Sequence, residues 1–315
     1  MPDDRLPMLA LAYGADLLIG DPRWFPHPVR AMGLAIHWGE RILRQMIPWE
    51  RLAGVVLVAI VVGASYGAAS WLLRVIGQVS GIGSFAAGVV LLFTCLSTKD
   101  LAVESRQVLK ALEANDLPLA RQRVARIVGR DTHQLDVQEV VRATIETIAE
   151  STLDGILSPL FYFLLGGVPL AVAYKATNTL DSMIGHRSAR YLRFGWAAAK
   201  LDTAANWVPA RLSAAFFALA AWLCRYRVSA AWRCAWRDGY GGPVPNAGIP
   251  EAAVAGALGI RLGGTNWYDG KAVEMPSMGD PVRPLEPPRI REAIRLMYVC
   301  SLVGWLTALG VQVVW

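Results

Sequence analysis

Apolar residues in this chain gather in long blocks. Leu52 to Leu73 runs 22 residues without a charge, Val75 to Thr98 another 24, and Leu296 to Trp315 another 20. Each, as a helix, reaches across the roughly 30 Å of a bilayer core. Small and aliphatic residues such as those of VVLVAIVVGASYGAA suit close helix packing in lipid. Three further blocks are less regular. Leu6–Gly20 has 15 residues and holds Asp16; Gly155–Tyr174 is interrupted by Pro159, Gly166, Gly167 and Pro169; Trp207–Cys224 carries Pro209 and Arg211 near its start. Interrupted helices persist at membrane depth where they line a protein cavity, so these blocks are read as partial or re-entrant segments.

Between the blocks the period changes. Residues 99–155 place apolar side chains at helical spacing, and Asn115–Asp116–Leu117–Pro118 supplies a helix stop followed by a start, which predicts a helical hairpin. Residues 262–289, rich in Gly and Pro, read as a long irregular loop. No internal repeat is visible.

Composition agrees with a membrane protein: 54% of residues are hydrophobic and 18% charged, with a mean hydropathy of +0.36. The fold class expected is all-α, a polytopic integral membrane protein with about four to six apolar segments. It forms a single membrane-embedded domain over 1–315, with 99–155 as a cytoplasmic helical insert. Lys and Arg number five in 21–51, one in 74–83, eight in 99–155, five in 175–206 and nine in 225–292. By the positive-inside rule only 74–83 is external, and the re-entrant reading keeps 175–206 inside with the other basic loops. The acidic start MPDDRLPM has no small-residue cleavage site, so no signal peptide is expected. A net charge of +6 suits loops facing anionic lipid, and no aromatic-basic pattern points to nucleic acid.

Chemistry is concentrated at the edges of the blocks. In DPRWFPHPVR, Asp21 to Arg30, three prolines stiffen a loop that carries Asp21, Arg23, His27 and Arg30 at an apolar boundary, with Trp24 and Phe25 beside them. Glu146, Glu150 and Asp154 fall on one helical stripe, where like charges repel unless a cation such as Mg²⁺ or an arginine sits among them; a solvated acidic face is the plain alternative. Lys175, Asn178, Asp181 and Ser182 share a second stripe, read as buried, that offers a cation for phosphate, hydrogen-bonding groups and a metal-binding carboxylate. Asp202 and Asn206 stand four apart, with Arg211 beyond. PNAGIPEAAVAGALG reads as a helix starting at Pro250 with Glu251 behind it, a weak anion site. The four cysteines (Cys95, Cys224, Cys234, Cys300) fit neither zinc nor a disulfide framework and are read as packing residues. No P-loop, HExxH or nucleophile elbow occurs.

Five segments in this order, ADLLIGDP…HPV…G (Ala15–Gly33), ESTLDGILSPLFY (Glu150–Tyr162), YKATNTLDSMIGH (Tyr174–His186), KLDTAANWVPARL (Lys200–Leu212) and PNAGIPEAAVAGALGIRLGG (Pro245–Gly264), resemble the adenosylcobinamide-phosphate synthase family of cobalamin biosynthesis, the CbiB/CobD-type membrane proteins. The resemblance covers essentially the whole chain. It implies an ATP-dependent ligase of the cell membrane, with its site on the cytoplasmic side. The reaction joins a propionate of the corrinoid adenosylcobyric acid to (R)-1-amino-2-propanol or its O-phosphate, through an acyl phosphate and with Mg²⁺. On that reading Glu150, Asp154, Asp181 and Asp202 supply metal ligands and a base, while Lys175, Arg187 and Arg211 meet phosphate charge. Asn178, Asn206 and Asn246 orient amides and phosphates, helped by Ser182 and Glu251. Asp21, Arg23, His27 and Arg30 form a rigid rim. The partners implied are the two substrates, the lipid bilayer and other late cobalamin-assembly membrane enzymes. A transporter, or a non-catalytic signalling relative on the same scaffold, is the alternative, with the polar stripes lining a path.

Overall fold

The computed structural model describes residues 4–22, 24, 27–186, 188–240 and 245–314. In chain order its helices are α1 (Arg5–Leu18), α2 (Pro28–Met46), α3 (Glu50–Val79), α4 (Gly81–Phe93), α5 (Thr98–Glu113), α6 (Leu117–Val124) and α7 (Val137–Thr152). After a π turn over Leu153–Leu157 come α8 (Ser158–Ile184), α9 (Trp196–Ala205), α10 (Trp207–Leu223), α11 (Val228–Asp238) and α12 (Pro245–Leu258). Two strands, β1 (Leu262–Tyr268) and β2 (Lys271–Met278), precede α13 (Pro288–Val314). The chain is thus an all-α polytopic membrane protein with one small hairpin.

Two compact units emerge. One comprises Met1–Ser97, Ser158–Trp207 and Thr307–Trp315; the other comprises Thr98–Leu157 and Val208–Leu306. Four helical stretches among the described residues are long and apolar enough to cross a membrane: Glu50–Val79, Gly81–Glu113, Val137–Ile184 and Pro288–Val314. Only 33% of the most apolar window of α3 is buried; the remainder is apolar surface of the kind lipid covers. The boundary between the first two spans differs from the sequence expectation. Ser80 is extended (φ −153°, ψ 118°) and its Oγ accepts the Gly83 N–H at 3.0 Å. Val75–Val79 therefore finish α3 rather than opening the next span.

The third stretch is not straight. Gly166 and Gly167 leave helical geometry inside α8, and Gly167 sits at φ 68°, ψ −162°, a combination that only glycine adopts without strain. Beyond this break the chain turns back. Tyr162 and Tyr174 stack with ring centroids 4.9 Å apart, and Ser158 and Tyr174 reach the same Asn206 oxygen. Sixteen residues of straight helix would separate Ser158 from Tyr174 by ~24 Å. α8 is therefore two limbs, Ser158 to Leu165 and Val168 to Ile184, folded together as the glycines and Pro169 suggested.

In the second unit the expected helical hairpin is present. Asn115 takes φ 55° and ends α5, and Asp116 accepts the Leu119 N–H at 2.9 Å to cap α6. Residues 262–289 depart from the expected irregular loop, since β1 and β2 pair antiparallel from Leu262↔Met278 to Tyr268↔Lys271. Asp269 (φ 50°) and Gly270 (φ 72°) give the turn whose twist suits a two-residue hairpin. The helix start also moves. α12 begins at Pro245 and contains Pro250 in its interior, so Pro250 opens no free N-terminus for an anion.

Candidate functional site

In the first unit, the stiff loop ends where Pro28 takes the first position of α2. His27 is the N-cap: its Nδ1 accepts the Val29 N–H at 3.2 Å and its Nε2 faces Asp21 Oδ2 at 3.7 Å. Burial pushes this imidazole below its ordinary value; Asp21 opposes the shift, while the charges of Lys175 and Arg30 add to it. The ring is thus neutral near pH 7, and with Nδ1 accepting, its proton lies on Nε2. Asp21, Arg30 and Lys175 are brought within electrostatic reach of His27. Arg23 and Phe25 lie outside the described residues, as does Arg187.

The stripe of α8 is less buried than expected. Lys175, Asn178 and Asp181 are half-buried, and Ser182 is exposed with its hydroxyl donating back to the Asn178 carbonyl at 2.9 Å. Ser182 stands at the last turn of the helix, where packing against neighbours has ended. Asp181 is crowded against the turn that follows: a Cβ added at Gly185 would meet Asp181 Oδ1 at 1.9 Å and its carbonyl oxygen at 2.7 Å.

Asp202 and Asn206 form the most fully determined arrangement. Asn206, 1% exposed, donates through Nδ2 to both Asp202 carboxylate oxygens at 3.2 and 3.1 Å. Its Oδ1 accepts from Ser158 Oγ at 2.6 Å and Tyr174 OH at 3.0 Å. Tyr162, stacked on Tyr174, donates to the Ala205 carbonyl at 2.9 Å. Through these bonds Asn206 holds Asp202 in place. Ser158, Tyr162 and Tyr174 all stood in the quoted segments, but nothing in their spacing said that they converge.

In the second unit an arginine answers part of the acidic stripe. Glu146 accepts from Arg130 at 2.6 Å and from the Gly263 N–H at 2.8 Å. Arg130 also donates to the Asn266 side chain, and Arg142 donates to the carbonyls of Gly263 and Thr265, the latter at 2.8 Å. Both arginines were missed from sequence. They pin β1 to α7, so Glu146 is a structural anchor. Glu150 continues the stripe on α7, whereas Asp154 sits on the π turn, where the wider spacing departs from a 3.6-residue stripe. Burial pushes the half-buried Glu251 well above the usual carboxylate range; Glu146 and Glu150 add repulsion and Arg130 offsets part of it. Asn246 is buried on α12, and the Arg211 guanidinium lies 5.4 Å from the Tyr240 ring.

Among the described residues no three His, Cys, Asp or Glu side chains group closely enough to hold a metal ion by themselves. Mg²⁺ is commonly bound by one or two carboxylates together with substrate phosphates. The separate carboxylates Glu150, Asp154, Asp181 and Asp202 fit that mode, and do not fit an all-protein cage.

The family model described as CobD/Cbib protein matches residues 9–297. Curated relatives include the cobalamin biosynthesis protein CobD of Geobacter metallireducens, 49% identical over 290 residues and 91% of each chain. A CobD of Klebsiella pneumoniae is 44% identical over 305 residues and 96% of each. The cobalamin biosynthesis protein CbiB of Salmonella typhimurium is 44% identical over 297 residues and 93% of each. No solved structure matches. Matched over almost its whole length, the chain belongs to the CobD/CbiB family.

Proposed function

We propose that this chain serves cobalamin biosynthesis as an ATP-dependent amide ligase, joining a propionate of adenosylcobyric acid to aminopropanol or its O-phosphate. The observation that carries the reading is the family match over 9–297, which spans every segment holding the charged and amide side chains described above. A carboxylate is a poor electrophile. In the proposed sequence its oxygen takes the γ-phosphoryl group of ATP, releasing ADP, and the amine nitrogen then attacks the carbonyl carbon as inorganic phosphate leaves. The amine must lose a proton on the way. Asp202, held in place by Asn206, suits that base role better than His27, whose Nδ1 lone pair already accepts a backbone N–H.

Lys175, Arg30 and Arg211 supply fixed positive charge for phosphoryl oxygens. Mg²⁺, when bound, would neutralise phosphate charge beside Glu150, Asp154 or Asp181. Asn178 and Asn246 remain for substrate amides, and Asp21 shapes the loop that carries His27. Glu251, its carboxyl pushed well above the usual range by burial, is disposed to keep its proton and donate a hydrogen bond. In this reading the site faces the cytoplasm, and the partners are the two substrates and neighbouring enzymes of late cobalamin assembly.

The test is product formation by purified protein given adenosylcobyric acid, aminopropanol phosphate and Mg·ATP, read by mass spectrometry with each component omitted in turn. An amide that disappears without ATP supports the ligase; no amide from folded protein rejects it in favour of transport or binding. Lys175→Ala and Asp181→Ala are each expected to abolish the product while the protein stays folded in detergent, and near-normal turnover would remove that residue from the site.

A further inference from the structure

A second charged centre lies in the first unit, built from residues not assigned to the reaction. Glu40 of α2 is 5% exposed. It accepts Arg44 Nε at 3.0 Å, Arg190 Nε and Nη2 at 3.1 and 2.9 Å, and the Tyr191 hydroxyl at 3.3 Å. Arg44 is fully engaged: its Nη1 meets Glu50 at 2.9 Å, its Nη2 meets the Arg190 carbonyl at 2.8 Å, and its guanidinium lies 4.2 Å from the Phe194 ring centre. Arg190 and Arg41 are not. The Arg190 side chain is 67% exposed. Arg41, also exposed, rests against Trp38 at 5.8 Å and meets no carboxylate among the described residues.

These arginines, with His37 and Gln45, line a cavity of about 330 Å³. Three guanidiniums line this cavity, two of them bonded to Glu40, and even with Glu50 counted one positive charge is left over. Beside the cavity, Leu34, Trp38, Ile42 and Met46 recur every four residues along α2 at 50–72% exposure. That spacing keeps them on one strip of the helix. Charges at Glu40, Arg41 and Arg44 prevent α2 from crossing a bilayer, whereas an apolar strip flanked by arginine and tryptophan is the pattern of a helix lying in the interface.

We infer that α2 and the 188–195 turn form a binding site for one anionic phospholipid, its phosphodiester in the Arg41–Arg190 cavity and its acyl chains along the Leu34–Met46 strip. One surplus positive charge matches one phosphodiester. A soluble phosphate would have no use for the strip. The site is independent of the ligase reading.

Native mass spectrometry of the detergent-extracted protein, after equilibration with phosphatidylglycerol, phosphatidylcholine or inorganic phosphate, tests this. Wild type is expected to retain one phosphatidylglycerol in preference to phosphatidylcholine. Arg41→Ala and Arg190→Ala should each lower retention about fivefold, which corresponds to about 1 kcal/mol per basic residue at an anionic surface. The Lys variants should keep most of it. Trp38→Ser should lower lipid retention without reference to phosphate. Equal retention of phosphatidylcholine, no change in the Arg41→Ala variant, or displacement of the lipid by millimolar inorganic phosphate would each overturn the proposal. Arg41 makes no ion pair among the described residues, so its variant keeps the test valid even where Arg190→Ala proves unstable.

Discussion

Replacing Asn206 by aspartate preserves the side chain's size and its acceptor for Ser158 and Tyr174, and replaces the donating nitrogen that lies 3.1 and 3.2 Å from the Asp202 oxygens with a carboxylate oxygen. Two carboxylates would then stand about 3 Å apart. At an effective dielectric of about 20 their repulsion is about 5 kcal/mol. Protonating one of them at pH 7, from an ordinary value near 3.9, costs about 4 kcal/mol. Protonation is the cheaper route, so it sets the penalty. The variant should lose about 4 kcal/mol at pH 7 and about 1.5 kcal/mol at pH 5, because each pH unit changes the cost by about 1.4 kcal/mol. Thermal unfolding in detergent at the two pH values reads this as a fall on the order of 10 °C at pH 7 that largely recovers at pH 5. Ser158→Ala, which removes one neutral donor, should cost about 1 kcal/mol at both. An Asn206→Asp protein as stable as wild type at pH 7, or equally destabilised at both, would refute the claim that Asn206 and Asp202 are locked together.

Three further outcomes follow from the geometry. His27 holds its proton less tightly in the native protein than the ordinary value of 6.5; the unfolded chain therefore takes up a proton first, and stability should fall as pH drops below about 6.5. His27→Asn keeps a side-chain cap and should flatten that slope in pH-resolved unfolding curves; an unchanged slope would contradict the assignment. Glu251, raised well above 4.5, favours the folded state most below that pH and loses its contribution as pH rises toward the native value, so Glu251→Gln should stabilise the protein increasingly over the range that opens above pH 4.5. No gain in unfolding temperature over that range would mean the carboxyl is ionised. Gly185→Ala should push Asp181 aside, and if Asp181 acts in amide formation the rate should drop on the order of 100-fold in folded protein; unchanged turnover would release Asp181 from that role.

Much of the architecture was legible because its causes are local. The α5–α6 hairpin follows from Asn115, Asp116 and Pro118, and the break in α8 from two adjacent glycines and Pro169. The strands escaped because Gly263, Gly264 and Pro276 blur any alternation, although Asp269–Gly270 was a usable turn signal. Pro250 misled because proline suits a helix start better than an interior; residues before it extend α12 regardless. What no local pattern carried was long-range pairing. Arg130 reaches Glu146 and Asn266, and Arg190 reaches Glu40 across 150 positions of sequence. Ser158 and Tyr174 likewise meet Asn206 only once α8 has doubled back.

That doubling back also bears on how the protein enters the membrane. The shorter limb of α8, Ser158 to Leu165, is ~12 Å long, less than half the hydrocarbon thickness. The two limbs of α8 thus lie side by side instead of end to end, and its 27 residues make no single straight span. If that folded block enters the bilayer as a re-entrant segment, the insertion machinery is spared carrying Arg190 and Arg193 across, at roughly 2.5–3.5 kcal/mol for each arginine at the centre of an inserting helix. A glycine pair placed midway in an apolar block thereby sets how deep that block can reach as straight helix.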